Sequence, residues 1–300
     1  MADRDIASID TSEFRGFEVT SLIFNGIYLY DFLCFMPFDW SLVLRQKEGQ
    51  GSSLLAKSVK AIYLCCRCLL LLSSVTEVFI LFRASHGSLP CQVLMRLTTG
   101  TACLAATFSS ALIGVRAMVV WSWDARVATL IVLILVLGAA TNIRIFLVLS
   151  SSYNPILKIC DMELMYTNLP NILALLVCDY TILICLLTGL YRWHTPGRGV
   201  RAFRLWSVLW SQGVIYLTLA SVLEIPAVVL LFFNLNPVMD TMLLRPMVII
   251  LVIVTTHFYR SLSKFTPNHT HDSFTERIRF ATVDVGVRFV AEEGASELCA

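Results

Sequence analysis

Seven apolar segments follow one another along this chain, and each is long enough to cross a lipid bilayer as a helix. A bilayer core about 30 Å thick needs about 20 apolar residues per helix. A helix satisfies its own backbone hydrogen bonds in lipid, and these runs are far longer than strands. The predicted helices, numbered here as spans 1 to 7, cover residues 17–38, 58–83, 94–121, 126–149, 165–191, 205–233 and 239–261.

The composition leaves little room for anything besides this bundle. Of the 300 residues, 57% are hydrophobic and 15% are charged, whereas soluble domains carry about 25% charged residues. We therefore predict an all-α, polytopic membrane protein with an outer tail over residues 1–16, a seven-transmembrane-helix bundle over 17–261 and a disordered cytosolic tail over 262–300. Span 1 is the least apolar because it contains Asn25 and Asp31. A helix lying in the interface stays an alternative for it.

The basic residues alternate between dense and sparse sides of the predicted bundle. Cytosolic loops are the ones enriched in Lys and Arg. The connections after spans 1, 3 and 5 and the segment after span 7 hold Arg45, Lys47, Lys57, Arg126, Arg192, Arg198, Arg201, Arg204, Arg260 and Lys264. The opposite side holds Arg4, Arg15, Arg83, Arg96 and Lys158. We therefore predict an outer N-terminus and a cytosolic C-terminus, with the plasma membrane favoured over an internal membrane.

Ionisable residues inside the spans are the first candidates for specific contacts. Each costs at least about 2.5–3.5 kcal/mol at the bilayer centre and normally faces the bundle interior with a partner. Asp31 and Arg67 lie at equal depth from the cytosolic side, in neighbouring spans. We predict that they form a structural ion pair joining spans 1 and 2. A direct role of this pair in ligand binding is the alternative.

A second group of ionisable residues lies in the outer half of the bundle and at its middle. Its members are Glu77, Arg144, Asp179, Glu224 and Arg245. Three acids and two bases leave one negative charge, which predicts a polar ligand cavity open to the outside, with one carboxyl group protonated or reserved for a ligand. Pro226 removes a backbone hydrogen bond beside Glu224 and should kink span 6. The alternative is that these side chains pair between helices and bind no ligand.

Three stretches of the sequence are similar to a known family. They read YDFLCFMPFDWSLVLR over 30–45, SALIGVRAMVVW over 110–121 and LWSQGVIYL over 209–217. They resemble a large family of uncharacterised seven-helix integral membrane proteins that is abundant in basidiomycete fungi. The resemblance covers about 20–262 and implies a seven-helix bundle. That family has no established activity. Receptor-like behaviour is inferred for it from topology alone, which is an analogy between folds.

Two cysteines are candidates for a disulfide on the outer side. Cys91 opens span 3, and Cys160 lies in the connection between spans 4 and 5. The predicted orientation places both outside, where disulfides persist. Such a bridge would hold the outer loop over the end of span 3, as seven-helix receptors commonly do, and the resembled family has cysteines at both places. Two free thiols are the alternative.

The sequence favours a receptor-like membrane protein whose partners are the lipid bilayer, a small ligand and a cytosolic signalling protein. One alternative is a membrane-embedded enzyme, for example a terpene-cyclase-like protein that uses Glu77, Asp179 or Glu224 as a proton donor. Another alternative is a transporter, although the chain has no inverted repeat to support it. We favour a non-enzymatic role and predict no catalytic residue, metal site, cofactor or nucleic-acid partner.

Overall fold

The computed structural model of the chain describes residues 2–48, 54–84, 90–154, 159–163, 169–192, 214–215, 218–219, 221–230, 232–233 and 243–264. The helices of at least ten residues in this part are α1 (Ala2–Cys34), α2 (Met36–Glu48), α3 (Leu54–Ala84), α4 (Cys91–Val120), α5 (Ala125–Val148), α6 (Leu169–Arg192), α7 (Ser221–Leu230) and α8 (Leu244–Lys264). Strands β1 (Ser150–Asn154) and β2 (Ile159–Glu163) pair antiparallel between α5 and α6.

Several of these helices have the length and composition of membrane spans. Among the described residues four qualify, namely the apolar stretches of α3, α4, α5 and α6, and the pair α1 and α2 adds a fifth if it is counted as one bent span. The chain is thus a helical, multi-pass membrane protein. Span 6 is described only in part, chiefly by α7, while α8 occupies most of span 7. The count of seven and the orientation therefore stay predictions.

The first helix differs from the one predicted. α1 begins at Ala2 rather than at residue 17, and α2 continues past the predicted end of span 1 as far as Glu48. The two helices meet at Phe35 with a bend of 48°. Pro37 in the first turn of α2 explains the break, because its ring excludes the carbonyl of the preceding turn and it has no N–H to donate.

Helix α4 lies at the centre of the bundle and packs against α3, α5, α6 and α8. Its buried positions are dominated by small side chains, which allow neighbouring helices to approach closely. These are Thr98, Thr101, Ala102, Ala105, Ala106, Ser109, Ser110, Gly114 and Ala117. Helix α5 is peripheral by contrast, since its buried side chains are Ile131 and Ile145 and its other faces carry exposed apolar residues. Such a surface suits contact with lipid.

The turn from α4 to α5 is compact and explains why the predicted boundary lies within one residue of the observed one. Ser122 and Trp123 have positive φ angles of 53° and 62°. The Trp123 N–H bonds the Met118 carbonyl and the Ser122 N–H bonds the Val119 carbonyl, which is the Schellman ending of a helix. The Asp124 carboxylate then accepts the backbone N–H of Arg126 and caps α5.

A glycine in α6 allows close contact with the end of α4. A Cβ atom added at Gly189 would lie 2.7 Å from the indole nitrogen of Trp121 and 2.8 Å from a methyl group of Val120. That indole nitrogen donates to the Cys185 carbonyl at 2.8 Å. We expect Gly189→Ala to lower the unfolding free energy of the full chain in nanodiscs by about 1–3 kcal/mol, because the contact becomes overpacked.

The matched control for this prediction is Gly26→Ala in α1. A Cβ atom at Gly26 meets nothing within 4 Å, so the substitution should be neutral or stabilise the helix by up to about 1 kcal/mol. Equal unfolding temperatures for the two variants would contradict the close packing of α6 against α4.

The β hairpin between α5 and α6 was not predicted from the sequence. Its register pairs Tyr153 with Cys160 and Ser150 with Glu163. Strand β1 reads SSSYN, without the alternation of apolar and polar residues that predicts a strand. The hairpin contacts α4, and this places β2, which carries Cys160, against the helix that begins at Cys91. The side chain of Cys160 lies outside the described residues, so the disulfide stays a prediction.

Candidate functional site

One group of charged side chains joins α1, α2, α3 and α8 at the end of the bundle predicted to be cytosolic. We call it the inner network, and it consists of Asp31, Asp39, Tyr63, Arg67 and Arg260. The Arg67 guanidinium lies 3.6 Å from the Asp31 carboxylate and 3.1 Å from the Asp39 carboxylate. Arg260 donates to Asp31 at 3.1 Å, and the Tyr63 hydroxyl donates to Asp39 at 2.8 Å. The structure thus brings together the predicted partners Asp31 and Arg67.

Arg67 is the residue that holds this network together. Its side chain is almost completely buried, and its guanidinium also donates to the carbonyls of Asp31 and Phe32 at 3.3 and 3.2 Å, beside the break between α1 and α2. The Tyr28 hydroxyl donates to the Arg67 carbonyl at 2.6 Å. Two acids and two arginines balance in charge, and a buried ion pair needs such additional hydrogen bonds to offset its loss of hydration. This geometry supports a structural role.

Sequence reasoning found Asp31 and Arg67 but missed three members of the inner network. Asp39 follows Pro37 and was placed beyond the end of span 1, although it lies about two helical turns after Asp31. Arg260 was assigned to the basic cytosolic side. Tyr63 carried no signal of its own, because an isolated tyrosine near the end of a span is common in membrane proteins.

A second ion pair links α3 to α8 in the half of the bundle predicted to be outer. Arg245 pairs with Glu77, and its other nitrogens donate to the Ser73 hydroxyl at 2.7 Å and the Ser73 carbonyl at 2.9 Å. Asn25 of α1 donates to the Glu77 carboxylate at 2.9 Å. Both charged residues are 9% exposed. We call these two residues the outer pair, and their charges compensate each other.

Two carboxyl groups lie side by side near the middle of the bundle, and we call them the central carboxyl pair. Asp179 of α6 is 4% exposed and Glu224 of α7 is 1% exposed, and the two interact directly. Ser110 of α4 donates to Asp179. Apart from Asp179, the Glu224 carboxyl group has no hydrogen-bond partner among the described residues, and it forms no ion pair with them.

A small cavity next to Ser110 extends between α4, α5 and α6. Its volume of about 10 Å³ is about the space that one water molecule requires. Its lining is mainly apolar but includes Thr107, Ser110, Thr141 and Asn142, and the Asn142 amide donates to the Thr107 hydroxyl at 2.7 Å. Through Ser110 this cavity is connected to the central carboxyl pair.

The five residues predicted to line one outer cavity are therefore distributed differently in the structure. Glu77 and Arg245 form the outer pair, while Asp179 and Glu224 form the central carboxyl pair. Arg144 is exposed on α5 and forms no ion pair with the described residues. No group of three or more His, Cys, Asp or Glu side chains that could hold a metal occurs in the described part of the chain.

No protein-family model matches the chain, and no curated protein is significantly similar to it.

Proposed function

We propose that this chain is a receptor-like, seven-helix membrane protein that binds a small cationic ligand at the central carboxyl pair. The ligand would enter from the side predicted to be outer. The observation that carries the proposal is the pairing of two buried carboxyl groups, one of which, Glu224, has no hydrogen-bond partner other than Asp179 and no ion-pair partner among the described residues. We also propose the seven-span topology with an outer N-terminus, the Cys91–Cys160 disulfide and membership of the basidiomycete seven-helix family.

The energetics of the central carboxyl pair support a ligand site over a packing contact. Ionising both buried carboxyl groups would cost several kcal/mol without a cation beside them, because each is poorly hydrated and the two like charges repel. A protonated amine would supply both the missing positive charge and the missing N–H donors. The outer pair and the inner network already contain arginines that balance their acids, so neither needs a positive charge from a ligand.

The position of the central carboxyl pair also suits a protein that changes shape on binding. Asp179 contacts α4 through Ser110, and the next residue, Tyr180, hydrogen-bonds Ser221 at the start of α7. Ser109 on α4 in turn donates to Thr255 on α8 at 2.8 Å. A ligand at the pair would therefore act on α6 and α7 directly and on α8 through α4. Pro226 weakens α7 two residues after Glu224, where a bend is easiest.

Binding of amines to Glu224→Gln is the direct test. The purified full chain in nanodiscs would be heated with a panel of primary, tertiary and quaternary amines, each compared with the uncharged alcohol of the same carbon skeleton. We expect at least one amine to stabilise the wild-type protein and to bind Glu224→Gln and Asp179→Asn roughly ten- to a hundredfold more weakly, because a charge-assisted contact is worth about 1.5–3 kcal/mol.

The two variants should fold without added ligand, since each removes a buried charge and keeps the shape of the side chain. Glu18→Gln is the control, because this carboxyl group lies on α1 and contributes to none of the three charged groups. The proposal fails if no amine stabilises the wild-type protein more than its alcohol counterpart does. It also fails if an amine stabilises all four proteins equally.

A further inference from the structure

Arg116 is a second residue whose charge the structure leaves uncompensated. It lies on α4, four residues before the helix ends at Val120, and its guanidinium is 5.8 Å from the ring centre of Phe258 on α8. One terminal nitrogen of the guanidinium is buried and makes no hydrogen bond, and Arg116 forms no ion pair with the described residues. An arginine that merely extends towards water would keep its terminal nitrogens solvated.

Tyr259 on α8 presents a second unused donor beside Arg116. Its side chain is 8% exposed, its ring stacks on Tyr63 with the ring centres 4.5 Å apart, and its hydroxyl is buried without a hydrogen-bond partner. Tyr259 also packs in one apolar cluster with Leu112, which lies one helical turn before Arg116 on α4. Two buried donors from neighbouring helices thus lie near each other without an acceptor in the described part of the chain, and each loses its hydration at a cost of about 1–3 kcal/mol.

The charge balance around this point also calls for an anion. The inner network contains two acids and two arginines and sums to zero, and its Arg260 is engaged by Asp31 and by the ring of Phe35 at 3.5 Å. Arg116 adds one positive charge next to the network. A bound water molecule could accept from the two donors, but it would leave this charge uncompensated.

We propose that Arg116 and Tyr259 bind a phosphate-bearing anion, and that a phospholipid headgroup of the cytosolic leaflet supplies it. An arginine and a hydroxyl are ordinary donors to phosphate oxygens. The predicted depth agrees, because four residues of helix place Arg116 about 6 Å from the end of α4 that we expect to face the cytosolic headgroups. Stacking of Tyr259 on Tyr63, which bonds Asp39, would connect the anion with the inner network.

Native mass spectrometry of the full chain can measure the bound lipid. The protein would be taken from mixed micelles of phosphatidic acid and phosphatidylcholine, and the fraction retaining phosphatidic acid would be compared for wild type, Arg116→Gln, Tyr259→Phe and Arg126→Gln. We expect Arg116→Gln to weaken retention of phosphatidic acid about tenfold and Tyr259→Phe to weaken it severalfold. Arg126→Gln is the matched control, because this arginine is exposed at the same end of the bundle, and it should retain the lipid as wild type does.

The source of the anion is decided by a second arm with inorganic phosphate. If phosphate raises the unfolding temperature of lipid-free wild-type protein but not that of Arg116→Gln, and phosphatidic acid is not retained, the site exists and its ligand is a soluble phosphate. The proposal is overturned if Arg116→Gln and Tyr259→Phe match wild type in both arms. Should Arg116→Gln fail to fold, Tyr259→Phe decides the outcome alone, because it removes only the unused hydroxyl.

Discussion

Replacement of Arg67 by methionine is expected to destabilise the protein by about 3–5 kcal/mol, the usual cost of removing one partner from a buried ion pair. Methionine fills a similar volume but, among the described residues, leaves Asp39 with the Tyr63 hydroxyl and Asp31 with Arg260 as their remaining partners. Since a protein of this size is stable by only about 5–15 kcal/mol, much of the variant should fail to fold. Arg67→Lys should be only slightly better, because an ammonium group cannot reproduce the forked contacts to two acids.

The measurement is the yield of monodisperse protein together with its unfolding temperature in nanodiscs. Arg83→Met is the matched control: this arginine lies on the same helix, in its last turn, and is exposed. It should change stability by no more than about 0.5 kcal/mol. If Arg67→Met unfolds at the same temperature as Arg83→Met, the inner network does not stabilise the bundle and its proposed structural role is wrong.

The sequence was sufficient for the helical, membrane-spanning character of the chain, because long apolar runs depend on composition alone. It was also sufficient to place Asp31 and Arg67 at one depth, since depth follows from counting residues along each span. The break at Phe35 was harder to predict. Pro37 is as compatible with the end of a helix as with a bend within one, so the continuation through α2, and with it Asp39, was overlooked.

The grouping of the outer charges could not be predicted from depth, because depth says nothing about the face of a helix on which a side chain lies. Arg144 and Arg245 were both predicted to line the outer cavity, but Arg144 is exposed on α5 while Arg245 is buried against α3. Helix α5 is apolar on nearly every side, so its sequence has little periodicity from which to read a buried face. Hydrogen-bond donors without an acceptor, such as those of Arg116 and Tyr259, can be recognised only from the positions of the surrounding residues.

The outer pair offers a sharper test than deletion of one residue, because both charges can be removed together. Arg245→Met alone should cost about 3–5 kcal/mol, since it leaves the Glu77 carboxylate buried with Asn25 as its neutral donor. The double variant Glu77→Met with Arg245→Met removes both charges and should recover most of this loss. Replacing a buried ion pair by apolar residues of similar volume is often neutral or stabilising.

A double-mutant cycle measured by unfolding in nanodiscs gives the coupling directly, and we expect a coupling energy of about 2–3 kcal/mol. Arg144→Met is the control, because this arginine is exposed and should contribute little to stability in combination with Glu77→Met. A coupling near zero would mean that Glu77 and Arg245 are held by separate partners, and the outer half of the bundle would then be available as the polar cavity predicted from the sequence. A strong coupling means that these charges join α3 to α8, which leaves the central carboxyl pair as the proposed ligand site.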